Sequence, residues 1–143
     1  MFVSIIIPVR NEERYIEACL EAVFSQTYPK EKMEVLLVDG MSKDKTREIA
    51  KAFPLRVLDN PEFQRVFALN IGIKSARGDV IVRVDARTII PQDYVEKCVK
   101  TLLATGADNV GGLQKPLLAG SITQRAIGLA AIHPFGVGGA EFR

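Results

Sequence analysis

The chain has 143 residues, of which 48% are hydrophobic and 25% are charged, a length and composition typical of one folded domain. Its 19 basic and 17 acidic residues leave a net charge of +2 at pH 7, which gives no electrostatic case for a nucleic-acid partner. No run of about eighteen apolar residues occurs, so we expect no membrane-spanning segment in this sequence. Two cysteines without metal-ligand spacing indicate a reducing compartment, and we expect a cytoplasmic protein.

Short apolar runs along the chain predict the strands of a parallel sheet. They are rich in Val, Ile and Leu and lack the polar alternation of a strand with one face in water. We place them at 3–9, 35–38, 55–58 and 80–84, with a further candidate at 109–113. Helical spacing between these runs predicts an α/β fold, an open and mainly parallel sheet with helices on both faces.

Helices are predicted after each of the first four strands. Asn11 is expected to cap the first helix, which continues to about residue 26, and Ser42 or Asp44 is expected to cap the second. In the third helix the spacing of apolar residues predicts a face turned to the core. We expect that face to contain Phe63, Val66, Phe67, Asn70 and Ile73.

Polar residues follow three of the predicted strands, at the edge where open α/β sheets bind ligands. Residues 8–12 follow the first strand, Asp39 the second and Asp85 the fourth. We expect the carboxylates of Asp39 and Asp85 to project into one crevice, where they suit a metal ion or the polar groups of a nucleotide. The alternative is that each aspartate only caps the turn after its strand.

Several common nucleotide-binding and catalytic motifs are missing from the sequence. No G-x-G-x-x-G follows the first strand, which disfavours a dinucleotide-binding Rossmann domain, and no G-x-x-x-x-G-K-[ST] phosphate loop occurs. The single histidine, His133, has no serine or cysteine near it in the sequence. We therefore interpret His133 as a packed or solvated side chain rather than as a catalytic base.

Three segments in order along the chain carry a family resemblance. They are Val3-Ser4-Ile5-Ile6-Ile7-Pro8-Val9-Arg10-Asn11-Glu12, the stretch from Val38-Asp39-Gly40 to Thr46, and the stretch from Asn70-Ile71-Gly72 to Val84-Asp85-Ala86-Arg87. Together they resemble the family 2 glycosyltransferases, which have the GT-A fold. Residues 83–86 and 136–143 look most similar to bacterial exopolysaccharide glucosyltransferases of the succinoglycan type. The resemblance implies that 1–143 is the nucleotide-sugar-binding part of such a domain, and we expect it to be cut short at the C-terminus.

The resemblance also implies roles for residues at the strand ends. Asp39 would hydrogen-bond the nucleobase, usually uracil. Asp85 would face the diphosphate and a divalent metal, Mn²⁺ or Mg²⁺. The remaining implied assignments are Pro8, Arg10 and Glu12 in the nucleotide pocket, and Arg65 and Arg87 as contacts to phosphate.

Arg87 departs from the family's pattern, which supplies Asp or His two residues after Asp85. A guanidinium cannot ligate a cation. Because alternate residues of an extended segment leave on the same side, we expect Arg87 to pair with Asp85 or to contact a phosphate. The alternative is that it turns outward to solvent.

As for function, the resemblance implies an inverting glycosyltransferase. It would move a sugar from a nucleoside-diphosphate donor, a UDP-sugar, to a saccharide or lipid-linked acceptor in cell-surface polysaccharide synthesis, at the inner face of the membrane. The family's general-base carboxylate lies downstream of residue 143. We therefore expect the chain alone to bind nucleotide without transferring sugar, and to self-associate through uncovered apolar surface.

Two other interpretations stay open. One is a fragment or degenerate homologue that binds sugar nucleotides without catalysis, which Arg87 favours. The other is a nucleotidyltransferase acting on sugar phosphates, which would normally show a glycine-rich basic loop after the first strand. Residues 8–12 are not such a loop.

Overall fold

The computed structural model describes residues 1–112 and 121–132. In this part of the chain the strands are β1 Val3–Val9, β2 Met33–Asp39, β3 Arg56–Asp59 and β4 Val80–Arg83. They form a four-stranded sheet with the strand order β3-β2-β1-β4. All three pairings are parallel. The predicted α/β class with a parallel sheet is therefore confirmed.

Helices connect the strands and cover the sheet. They are α1 Ile16–Phe24, α2 Thr46–Ala50, α3 Arg65–Ser75, α4 Tyr94–Thr105 and α5 Ile122–Ile132, with a 3₁₀ turn at Lys30–Lys32. Residues 1–106 form one compact unit, which contains the sheet and α1–α4, and residues 107–143 form another, which contains α5. Among the described residues, no helix combines the length and the apolar composition needed to cross a bilayer.

The core lies on both faces of β1, which pairs with β2 on one side and with β4 on the other. Ile5 and Ile7 point to one face, where they belong to the same buried cluster as α1 and α4 residues such as Leu20 and Val95. Ile6, one position along, points to the opposite face and packs in a second cluster near α3. Burial on both faces explains why β1 is a continuous apolar run rather than an alternating one.

The predicted buried face of α3 is wrong. The residues expected in the core are exposed: Phe63, Val66, Phe67, Asn70 and Ile73. Ala68 and Gly72 are buried instead, and a Cβ added to Gly72 would lie 2.5 Å from Cγ2 of Ile6. The helix therefore packs so close to β1 that only the smallest side chains fit between them.

The start of α1 also differs from the prediction. The helix begins at Ile16 rather than just after Asn11, which has a left-handed φ of 55° and does not cap it. In the second unit, residues 109–112 form no strand. Leu113, His133 and residues 136–143 lie outside the described residues.

The buried carboxylate of Glu34 connects β1, β3 and the segment before β4 at the end of the sheet where the strands begin. Glu34 of β2 is 8% exposed and accepts hydrogen bonds from Ser4 Oγ and Arg77 N, both at 2.7 Å. Its other oxygen accepts from Arg77 Nε at 3.1 Å and Arg56 Nη1 at 3.2 Å. Burial by itself would raise the pKa of Glu34, but the hydrogen bonds from Ser4 and Arg77 outweigh burial and lower it.

Candidate functional site

The loops that follow β1 and β2 are joined by hydrogen bonds between the side chains of one loop and the backbone of the other. Glu12 N donates to Thr46 Oγ1 at 2.8 Å, and Lys43 N donates to Asn11 Oδ1 at 2.8 Å. Similar bonds run from Asn11 N to Ser42 Oγ, from Glu13 N to Asp44 Oδ2 and from Lys45 N to Glu13 Oε2. These hydrogen bonds join residues 11–13 and residues 42–46 into one rim at the carboxyl ends of β1 and β2.

Asp39 does not project into a crevice as expected. Its carboxylate is fully buried and accepts hydrogen bonds from the backbone N–H of Ser42 at 3.1 Å and from the Ser42 hydroxyl, with Arg47 Nε at 3.5 Å. Asp39 therefore caps the turn after β2, the alternative left open by the sequence. Its contact with a nucleobase stays a prediction.

Asp85, which follows β4, is partly exposed and lies among arginines. Arg83 donates to both carboxylate oxygens, from Nε at 3.0 Å and from Nη2 at 2.9 Å, and Arg65 Nη1 lies 3.6 Å from Oδ2. Asp39 ends β2, whereas Asp85 lies two residues after the end of β4, and β1 separates these two strands in the sheet. The two carboxylates do not form a pair.

Arg87 pairs with Glu12, so its expected pairing with Asp85 is wrong. Arg87 Nε donates to the two carboxylate oxygens of Glu12 at 2.9 and 3.2 Å, and its guanidinium lies 5.2 Å from the centre of the Tyr15 ring. The hydrogen bond to Glu12 raises the pKa of Arg87. The loop after β1, and not the loop after β4, presents the carboxylate that Arg87 reaches.

A divalent metal at Asp85, as the resemblance implies, does not fit these side chains. A hard divalent cation that binds together with a phosphate substrate uses one or two carboxylates, and residues 1–112 and 121–132 contain no cluster of three His, Cys, Asp or Glu side chains placed to hold one without substrate. Asp85 is engaged by Arg83, with Arg65 next to it. Arg87, at the position where a second ligand is usual, is itself a cation.

A pocket of about 180 Å³ brings together several of the predicted site residues. It is lined by Pro8, Val9, Arg10, Glu12, Asn60, Phe63, Arg65 and Ala68. We call it the base pocket. Neither Asp39 nor Asp85 lines it. The predicted site residues are thus brought together in part: among the described residues, Pro8, Arg10 and Glu12 after β1 line one pocket together with Arg65 of α3.

Asn60 is the most informative residue of the base pocket. It is 1% exposed, and its Oδ1 has no hydrogen-bond partner among the described residues, while its Nδ2 donates to the carbonyl of Gln64 at 2.9 Å. A buried acceptor without a donor is costly unless a ligand or water supplies one. Nearby, the Arg10 guanidinium lies 4.8 Å from the centre of the Phe63 ring.

A second pocket, of about 280 Å³, adjoins the base pocket because Glu12 lines both. It is lined by Asn11, Glu12, Glu13, Arg14, Tyr15, Asp44 and Arg87. We call it the outer pocket. Its two arginines, Arg14 and Arg87, lie among three carboxylates, those of Glu12, Glu13 and Asp44. Tyr15 brings an aromatic ring and is 45% exposed.

Sequence reasoning did not find Asn60, Phe63 or Tyr15. The signal for Asn60 was present, since it directly follows β3 and the same strand-end argument applies to that strand. Phe63 was assigned to the core because of its apolar character. In the structure it has a φ of 62° and is half-exposed beside Arg10.

Comparison with known proteins decides the family. The sequence profile described as Glycosyl transferase family 2 matches residues 4–116, most of the chain. The chain belongs to glycosyltransferase family 2. The match includes β1 from Ser4 onward, all of β2–β4, and every residue that lines the base pocket and the outer pocket. The predicted family is therefore confirmed.

Two curated relatives illustrate the membership in family 2. Glycosyltransferase AglE of Haloferax volcanii is 45% identical over an alignment of 117 residues that covers 78% of this chain and 38% of that protein. The succinoglycan biosynthesis protein ExoA of Rhizobium meliloti is 35% identical over an alignment of 146 residues that covers 97% of this chain and 44% of that protein. The chain spans less than half the length of either relative.

Solved structures agree on the GT-A fold of this family 2 chain. Staphylococcus aureus TarS 1–349 aligns with a TM-score of 0.69 and 23% identity over 81% of this chain and 39% of that one. The mannosyltransferase PcManGT from Pyrobaculum calidifontis, in complex with GDP-Man and Mn²⁺, has a TM-score of 0.64 and 34% identity over 70% of this chain and 32% of that one. Glucosyl-3-phosphoglycerate synthase from Mycobacterium tuberculosis, solved with Mn²⁺, UDP and glucosyl-3-phosphoglycerate, has a TM-score of 0.59 and 25% identity, covering 71% and 39%.

Proposed function

We propose that this chain is the donor-binding part of a family 2 glycosyltransferase and that it binds a UDP-sugar. The observation on which the proposal rests is the buried, unpaired Oδ1 of Asn60 in the base pocket. A uracil ring presents an N–H that this oxygen can accept. Phe63 and Arg10 offer flat groups on which the ring can stack, and a one-ring base suits a pocket of about 180 Å³.

Positive charge in the base pocket supports a diphosphate next to the base. Arg10 and Arg65 both line the pocket. Glycosyl transfer breaks the bond between the sugar and the diphosphate, so negative charge develops on the leaving phosphate. Fixed guanidinium groups stabilise that charge without having to reorganise as it forms.

Asp39 supports the base pocket through its backbone carbonyl and not through its carboxylate. Its backbone carbonyl accepts a hydrogen bond from Asn60 N at 2.8 Å, while its carboxylate fixes the turn at Ser42. Asp39 therefore positions Asn60, and a direct contact between Asp39 and the base would require the Ser42 hydroxyl to release it.

For the complete enzyme, we propose inverting transfer of the sugar to a saccharide or lipid-linked acceptor in cell-surface polysaccharide synthesis, in the cytoplasm at the inner face of the membrane. The succinoglycan biosynthesis relative and the family membership support this proposal. Inverting transfer needs a carboxylate that takes the proton from the acceptor hydroxyl. We assign that base to no described residue.

Calorimetric titration of the chain with UDP, GDP and ADP tests the proposal. We expect UDP to bind most tightly and Asn60→Ala to weaken UDP binding about tenfold, because the variant removes one buried hydrogen bond. Asn70→Ala is the matched control, since Asn70 is exposed on α3. Circular dichroism checks that both variants fold. Equal affinity for the three nucleotides, or equal behaviour of the two variants, would contradict the proposal.

A further inference from the structure

We propose that guanidinium groups, and not a divalent cation, hold the diphosphate of the donor, with Arg87 of the outer pocket as the central contact and Arg65 of the base pocket as a second contact. The inference rests on the proposed function, because it names how the same site binds its nucleotide. It also names the groups that would bind the diphosphate in place of the metal that the resemblance implies at Asp85.

The surroundings of Asp85 disfavour a cation. Both oxygens of its carboxylate accept hydrogen bonds from Arg83, so a metal ion would have to displace that guanidinium before it could coordinate. Arg65 Nη1 lies 3.6 Å from the same carboxylate and would repel the incoming ion. A divalent ion at Asp85 would have one carboxylate and would depend on the diphosphate and water for its other ligands, while two arginines compete with it for that carboxylate.

The Glu12–Arg87 pair occupies the place where a diphosphate would lie. Glu12 lines both pockets, so this ion pair lies at their junction, between the base pocket and the outer pocket. A nucleotide with its base against Asn60 extends its phosphates towards that junction. The two carboxylate oxygens of Glu12 resemble two oxygens of a phosphate, and both accept from Arg87 Nε.

Arg87 can change partner because its side chain is 68% exposed and water compensates part of the lost ion pair, while Glu12, at 16% exposed, loses its cation. A phosphate brings more charge and more acceptor oxygens than a carboxylate, so it competes well for the guanidinium. We infer that Glu12 holds Arg87 in position until the diphosphate replaces the carboxylate.

Two further residues of the outer pocket fit this arrangement. Arg14 adds a second positive charge to the pocket that contains Arg87, while the carboxylates of Glu13 and Asp44 in the same pocket accept hydrogen bonds from the backbone N–H groups of Lys45 and Glu13. Tyr15, whose ring lies 5.2 Å from the Arg87 guanidinium, offers an aromatic surface where the sugar would follow the diphosphate. Base, diphosphate and sugar are then placed in order from the base pocket to the outer pocket.

Calorimetric titration with UDP, in EDTA and in MnCl₂, tests the inference on the full chain. We expect the wild type to bind UDP with the same affinity in both buffers. Arg87→Ala is expected to weaken binding about tenfold to a hundredfold, the loss of one or two charge-assisted hydrogen bonds. Arg87→Lys, which keeps the charge but loses the planar fork, is expected to lie between the two.

Two more variants test UDP binding in different ways: one is expected to make it depend on Mn²⁺, and the other to strengthen it. Arg87→Asp places a second carboxylate two residues after Asp85, and we expect its UDP binding to require Mn²⁺. Glu12→Gln removes the competing carboxylate, so we expect it to bind UDP several-fold more tightly than the wild type. Arg56→Ala is the control, because it removes one guanidinium at the opposite end of the strands.

The outcomes separate the two proposals. If the wild type binds UDP only with Mn²⁺ and Arg87→Ala behaves like Arg56→Ala, the arginine site is wrong while the proposed function stands. Weaker binding by Glu12→Gln would refute the exchange of carboxylate for phosphate. If no nucleotide binds under either condition, the proposed function fails and this inference fails with it.

Discussion

Replacing Glu34 by Gln is expected to destabilise the fold in a way that depends on pH. Glu34 accepts hydrogen bonds from Ser4, Arg56 and Arg77 at the beginning of the strands. Glutamine keeps one acceptor oxygen but removes the charge and turns an NH₂ group towards donors. A hydrogen bond to a charged group contributes about 1.5–3 kcal/mol, and a buried donor left unpaired costs a similar amount.

The expected loss is smaller than the sum of these contributions. The side chains of Arg56 and Arg77 are 47% and 68% exposed, so water takes over much of their hydrogen bonding. Ser4 is fully buried, and its hydroxyl has no such compensation. We estimate a decrease of about 2 kcal/mol in the free energy of unfolding at pH 7, or roughly 4–8 °C in Tm for a chain of this size.

Urea denaturation followed by far-UV circular dichroism at several pH values measures this effect. Because the pKa of Glu34 is lowered in the folded state, its charge stabilises the fold above the ordinary glutamate pKa of about 4.3. That contribution is lost as the pH falls through the lowered pKa. The gap between wild type and Glu34→Gln should therefore close in acid. Glu21→Gln, at an exposed position of α1, is the control. A gap that is equal for both variants, or that persists in acid, would refute the reasoning.

Three other predictions concern packing, thiol reactivity and activity. Gly72→Ala should lower the free energy of unfolding by about 1–3 kcal/mol in the same assay, because its Cβ would meet Ile6; an unchanged midpoint would contradict the close approach of α3. With a thiol reagent at pH 8, Cys98 should react well before Cys19, since burial raises the pKa of Cys19 to about 11; the reverse order would show that Cys19 is accessible. The 143-residue chain alone should release no UDP from a UDP-sugar offered a saccharide acceptor, and steady turnover would disprove this.

The sheet could be predicted from the sequence because parallel strands buried on both faces leave a strong local signal. A run such as Val3–Val9, rich in β-branched residues, favours a strand in the middle of a parallel sheet. The contact face of α3 could not be predicted in the same way. Its packing depends on Ala68 and Gly72, whose small size has value only next to Ile6, and a periodicity of large apolar residues points to the wrong side.

The candidate site was predictable in its location but not in its detail. Parallel strands bring their carboxyl ends together, which places Pro8, Arg10 and Glu12 at one edge whatever their side chains do. The partners of Asp39 and Arg87 depend on loop conformation and on contacts between distant segments. Arg87 and Glu12 are 75 residues apart, and no local pattern records that they meet.

The hydrogen-bonded rim after β1 and β2 sets the order in which the molecule can assemble. Its partners are 31 to 34 residues apart, so the rim cannot form until β1 and β2 have paired and closed the intervening segment. We expect the base pocket to form late in refolding, after most of the helical circular dichroism signal has returned. In a stopped-flow experiment, capture of a fluorescent nucleotide would then lag behind circular dichroism, and the nucleotide would act as a reporter of completed long-range order.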